Sequence, residues 1–205
     1  MISGPTTHFI SQFLRGYPLD IRYFWREFSP PGLGDSDLYN GPGGLDWKIG
    51  KALASPLNAN QLRSLPESRA FALQLVNRDR TLNNVQPLIE DPLLSKAAQL
   101  HAEDMLKRQY FDHISREGKG PRDRFLSVGG SLFVGVGENI VRSDKQLLGL
   151  SYRKLEGFQS GWMYSNGHRA NLLTPEYTQF GYGIAVGPLG QTYAVQMFAT
   201  PESKN

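Results

Sequence analysis

The chain has 205 residues, 40% of them hydrophobic and 20% charged, with a net charge of +3 and no cysteine. That size accommodates one core plus an appendage, and the lack of cysteine excludes a disulfide scaffold, thiolate metal ligands and redox chemistry at sulfur. Lysine and arginine are scattered rather than clustered, so no nucleic-acid partner is expected, and no apolar run reaches the roughly 20 residues of a membrane helix.

Met1 to Asp20 show no charged start followed by an apolar stretch of the kind a secretory signal carries, which reads as a mature, truncated or cytosolic chain. Residues 1–65 read as an N-terminal extension and residues 66–205 as the domain. Within the extension, Tyr17, Ile21, Tyr23, Phe24, Trp25 and Phe28 form an aromatic cluster ahead of a loop-rich segment holding Pro30, Pro31, Gly32, Gly34, Gly41, Pro42, Gly43 and Gly44. Such a cluster serves either to dock the extension onto the domain's own surface or to bind a protein partner.

From Pro66 the pattern turns regular. Ser64 and Glu67 make a capping-box signature, and Ala70, Phe71, Leu73, Leu75 and Val76 recur at near-helical spacing to Arg80. Asp91 and Pro92 open a second helix whose apolar side carries Leu94, Ala97, Ala98, His101, Met105 and Leu106, so His101 reads as a hydrogen-bonded core residue. A short helix is expected over Pro121–Val128, ended by Gly129 and Gly130, and another around Gln146 to Trp162, weakened by Gly149, Gly157 and Gly161. Trp162 reads as core. Phe180–Val186 and Thr192–Ala199 are β-rich and joined by Gly187-Pro188-Leu189-Gly190, a hairpin signal. Helices before strands, with no βαβ repeat, indicate an α+β layered domain.

Three runs carry the chemistry: Phe111-Asp112-His113-Ile114-Ser115, Gly137-Glu138-Asn139-Ile140, and Ser165 through Leu173 with His168. They read as turn-like contexts whose side chains converge on a cleft. His113, Glu138 and His168 are 25 and 30 residues apart, unlike the paired histidines of a helical zinc motif, so any shared site has to be built by the fold. Asn139, Arg169 and Asn171 read as structural hydrogen bonders. Ser165 lacks both an Asp partner and the elbow glycines of a hydrolase nucleophile.

Leu75-Val76-Asn77 with Arg80, Ala97-Ala98 with His101-Ala102 and Met105, Tyr110-Phe111 with His113, Arg124-Phe125, Gly137 to Ile140, Trp162 with Ser165, Gly167 to Leu173 and Gly181-Tyr182-Gly183 occur in that order. From about Leu65 to Ala199 this succession resembles the bacterial branch of the CAP superfamily, also called SCP/TAPS. The resemblance implies a three-layer α-β-α sandwich with a cleft lined by His113, Glu138, Ser165 and His168. It also implies an extracellular or cell-envelope location. Ser165 departs from the second glutamate that many eukaryotic relatives carry, which weakens a paired-carboxylate mechanism.

The leading expectation is therefore a non-catalytic binding module whose cleft receives a peptide, glycan or lipid. No cofactor is required on this reading; zinc or another divalent cation would be held weakly, by His113 and His168. The alternatives are a metal-dependent hydrolase of peptide or ester bonds with Glu138 as base, a structural subunit docked through residues 1–65, and a lipid or sterol carrier.

Overall fold

The structure, a computed structural model, describes residues 38–40, 47–132, 134–144 and 149–201. The aromatic cluster of Tyr17 to Phe28 lies outside the described residues, as does Gln146. Five helices pack on a four-stranded mixed sheet among the described residues.

A short antiparallel pair, β1 (Leu38–Asn40) and β2 (Lys48–Gly50), precedes helix α1 (Leu65–Leu82). The expected capping box opens α1: Glu67 N–H donates to Ser64 Oγ at 3.4 Å and Ser64 N–H to Glu67 Oε2 at 2.8 Å. After β3 (Ile89–Glu90), helix α2 (Pro92–Arg108) starts where Asp91 Oδ1 accepts the Leu94 N–H at 2.8 Å. It ends at Gln109, which takes the left-handed conformation (φ 53°). Helix α3 (Pro121–Ser127) opens with the Gly120 N–H donating to Asp123 Oδ2.

Three expectations need correction. Gly137 to Ile140 is not a turn but the first half of a strand, β4 (Val136–Ser143), and His168 is helical rather than turn-like. The fourth helix, α4 (Tyr152–Tyr164), begins well after Gln146, because Gly149 is left-handed (φ 48°) and Ser151 Oγ accepts the Lys154 N–H as the cap. Helix α5 (Asn166–Leu173) follows after the single residue Ser165, and the hairpin β5 (Gln179–Val186) and β6 (Thr192–Ala199) closes the fold in the expected antiparallel register.

The sheet runs β3-β5-β6-β4, with β3 parallel to β5 and the other pairs antiparallel. Strand alternation divides its two faces. Phe180, Tyr182, Ile184, Ala194 and Phe198 pack with α1, α4 and α5, while Tyr193, Val195, Met197 and Ala199 pack with α2 and Phe125 of α3. The result is the three-layer α-β-α sandwich. Helix α2 lies directly on the sheet backbone: a Cβ at Gly183 would sit 2.2 Å from Gln99 N, and one at Gly181 2.2 Å from Leu94 C. These two glycines allow the contact.

Residues 47–63 are part of the packed body. Trp47 and Ile49 join the core beside α1 and α4, Gly50 N–H donates to Asp79 Oδ1 at 2.9 Å, and Leu53 and Ala54 N–H groups both donate to Glu156.

Candidate functional site

The candidate site is built around β4, an edge strand. Because side chains alternate, Glu138, opposite Met197, faces the α2–α3 side, and Asn139, opposite Gln196, faces the α1–α4–α5 side. Adjacent residues of one strand thus reach both halves of the site. The edge itself is occupied: Asn171 Nδ2 donates to Glu138 O at 3.0 Å and Trp162 Nε1 to Ile140 O at 3.2 Å. Those bonds cover two carbonyls that an edge strand would otherwise offer to another chain.

On the first side, the buried Glu138 carboxylate is shared. Its Oε1 lies 2.8 Å from His113 Nδ1 and its Oε2 accepts from Arg124 Nη2 at 2.5 Å. A carboxylate only accepts, so Nδ1 of His113 carries a proton, and in the neutral imidazole Nε2 presents a lone pair. The His113 side chain is 43% exposed, whereas that of Glu138 is 1% exposed, so the imidazole reaches solvent and the acid stands behind it.

The loop carrying His113 is held at two successive carbonyls. His101 Nε2 donates to Asp112 O at 3.0 Å and Arg124 Nη1 to His113 O at 2.9 Å. His101 is buried and hydrogen-bonded, as its place on an apolar helix face suggested, and burial lowers its pKa. Its bond to the loop gives it a positioning role. Further along, Tyr110 donates to Asp104, and Arg108 pairs with both Asp104 and Glu117.

On the second side, His168 stands on the first turn of α5, with Nδ1 at 2.9 Å from the Ser165 hydroxyl. A hydroxyl donates or accepts, so His168 Nε2 is open to either role. Burial pushes the His168 pKa down to about 4, with nearby His113 adding a smaller push in the same direction. His113 and His168 are thus electrostatic neighbours across the strand edge. Each imidazole is anchored through Nδ1, His113 by the Glu138 carboxylate and His168 by the Ser165 hydroxyl.

The depressed His168 pKa predicts acid sensitivity. Unfolded histidine titrates near 6.5, so between about 6.5 and about 4 the unfolded chain binds the extra proton and stability falls as pH is lowered. A loss of about 1 to 3 kcal/mol across that window is expected in urea denaturation, and His168→Gln should flatten it. A pH profile identical in variant and wild type would contradict the assignment.

Among the described residues, no group of three or more His, Asp or Glu side chains is arranged to hold one metal ion. Both Glu138 oxygens are engaged, leaving the two Nε2 atoms as the candidate ligands, a set suited to a loosely held cation. Asn139, Arg169 and Asn171 make the structural bonds expected of them: Asn139 Nδ2 donates to His168 O at 3.1 Å and Arg169 Nη1 to Met163 O at 2.8 Å. Sequence reasoning missed the site role of Arg124 and the role of Gln196. A lone glutamine in the otherwise apolar run of β6 was the available signal for the latter.

Residues 73–198 match the CAP family, described as the cysteine-rich secretory protein family. The chain is 34% identical over 137 residues to the uncharacterized protein YkwD of Bacillus subtilis, covering 65% of this chain and 50% of that protein. It is 33% identical over 114 residues to the uncharacterized membrane protein YlbC of the same organism, covering 55% of this chain and 30% of that one. The chain therefore spans half or less of the length of these curated relatives. Among solved structures, an extracellular SCP-domain protein from Bacillus anthracis aligns with a TM-score of 0.55 at 25% identity, over 75% of this chain and 46% of that one. A cysteine-rich secretory protein from Staphylococcus aureus aligns at 0.51 and 17% identity, over 69% and 42%, a likeness of fold alone.

Proposed function

This chain belongs to the CAP, or cysteine-rich secretory protein, family, and from that premise we propose that it is a non-catalytic binding module of the cell envelope or extracellular space. The relatives support the location: one similar structure is of an extracellular protein and one similar sequence is a membrane protein, while no helix among the described residues is long and apolar enough to cross a membrane.

The observation that carries the reading is the commitment of Glu138. A general base needs a carboxylate oxygen facing the proton it removes. Here one oxygen is bonded to His113 and the other to Arg124, in a side chain 1% exposed, so the acid orients an imidazole instead. The groups left to meet a ligand are the His113 and His168 Nε2 atoms. Ile114 and Leu132, 48% and 60% exposed, supply apolar surface on the loops flanking α3. This suits a peptide or glycan whose carbonyl, carboxylate or hydroxyl meets the imidazoles. A divalent cation held by the same two nitrogens would keep most of its coordination shell as water, which makes its binding weak.

Zinc titration by calorimetry of wild type, His113→Ala and His168→Ala, alongside a peptide and ester hydrolysis screen, tests this. Weak zinc binding lost in both variants and no turnover are expected. Zinc affinity unchanged in the variants would remove the two-imidazole site, and chelator-sensitive turnover by wild type would replace the binding module with a metal-dependent hydrolase.

A further inference from the structure

A file of amide side chains crosses the core behind the cleft. Asn171 Nδ2 donates to Asn139 Oδ1 at 3.0 Å, Asn139 Nδ2 to Gln196 Oε1 at 3.3 Å, Gln196 Nε2 to Gln159 Oε1 at 2.9 Å, and Gln159 Nε2 to Asp79 Oδ2 at 2.8 Å. Asn139, Gln196, Gln159 and Asp79 are each no more than 1% exposed. At the far end, Asp79 Oδ1 accepts the Gly50 N–H at 2.9 Å and the carboxylate pairs with Arg78, whose Nη1 also reaches Lys51 O.

The direction of the file is determined at both ends. Amide orientation follows from obligate acceptors. Glu138 O and His168 O can only accept, which turns the Asn171 and Asn139 NH2 groups toward them. Asp79, as a carboxylate, can only accept as well, which turns the Gln159 NH2 group toward it. Gln196 then has one orientation that serves both neighbours. Along the file itself each amide donates to the next in the direction of the buried Asp79 carboxylate, an arrangement in which each bond polarises the next.

We infer that Asp79, Gln159 and Gln196 are positioning residues for the cleft: through Asn139 they set the placement of the His168 backbone and of Asn171 on the edge of β4, and they tie that placement to the docked residues 48–51. The inference rests on the reading of the cleft as the binding site. Apolar side chains of the same volume would fill this part of the core as well. What the amides add is a single arrangement, since any one of them turned over leaves two donors or two acceptors facing each other in a buried setting.

The test is the double variant Gln159→Met/Gln196→Met, which removes the middle of the file but leaves Asp79 with Arg78 and Gly50, and Asn139 with His168 O. Its melting should stay close to that of wild type. Amide hydrogen exchange of residues 168–173 should rise about tenfold with that of α2 unchanged, and zinc binding should weaken about tenfold. Unchanged exchange at 168–173 in the folded variant overturns the inference. If wild type binds no zinc, the cleft reading fails while the exchange measurement still decides the role of the file. Should the double variant not fold, Asp79→Asn keeps the acceptor for Gly50 but opposes the Gln159 amide with another donor. It carries the same expectation, and unchanged exchange at 168–173 in that variant overturns the inference equally.

Discussion

Replacing Arg80 with Met is expected to cost about 3 to 5 kcal/mol, a large share of the stability of a domain this size. Arg80 is fully buried near the end of α1. Its Nε donates to Gln86 O at 2.7 Å, Nη1 to Leu172 O at 2.8 Å and Thr174 O at 3.0 Å, and Nη2 to Tyr177 O at 2.9 Å. The planar fork thus gathers four carbonyls, two of them at the C-terminal end of α5, where the helix dipole favours a cation. Burial lowers its pKa to about 10, which still leaves the group charged at neutral pH. Without it the carbonyls lose their donors and the end of α5 loses its tie to α1. Arg80→Lys should recover only part of the loss, because an ammonium cannot span the same acceptors. Urea denaturation of the two variants checks this, and a loss below about 1 kcal/mol in Arg80→Met would contradict it.

Trp162→Ala should cost a similar amount, about 3 to 5 kcal/mol. The indole is 2% exposed, lies against Phe158 with ring centroids 6.3 Å apart, and donates from Nε1 to Ile140 O. It therefore fills the layer between α4 and the sheet while covering one carbonyl of the edge strand. Trp162→Phe separates the two roles: most of the apolar area remains, so a smaller loss of about 1 kcal/mol is expected from the missing hydrogen bond. Equal losses in the two variants would show that packing is not the larger part.

The elements legible in the residues were those whose signals are local. Ser64 with Glu67, and Asp91 with Pro92, marked two helix starts because a cap and its target N–H lie within one turn. Phe180–Val186 and Thr192–Ala199 were readable as a hairpin because the strands are joined by a short turn. Strand β4 was not. Gly137, Glu138 and Asn139 are poor strand formers, and what holds them extended is pairing with β6, more than fifty residues away. The start of α4, expected around Gln146, was misplaced because the Ser151 cap that opens the helix was not used as a signal.

By itself, then, the sequence determined the α+β class, the family, the capped starts of α1 and α2 and the terminal hairpin, and it named His113, Glu138, Ser165 and His168 as the candidate site residues. It also determined that Trp162 is core. Only the tertiary structure decided what those site residues do. It placed Glu138 and Asn139 on opposite faces of an edge strand, brought Arg124 onto the carboxylate, anchored each imidazole through Nδ1, and lined up Gln196, Gln159 and Asp79 behind them. The physical reason is that a side chain's role depends on the atoms within hydrogen-bond reach. Apart from Ser165 and His168, neighbours on one chain turn, those partners come from segments 14 to 80 residues apart, brought within reach by the tertiary fold.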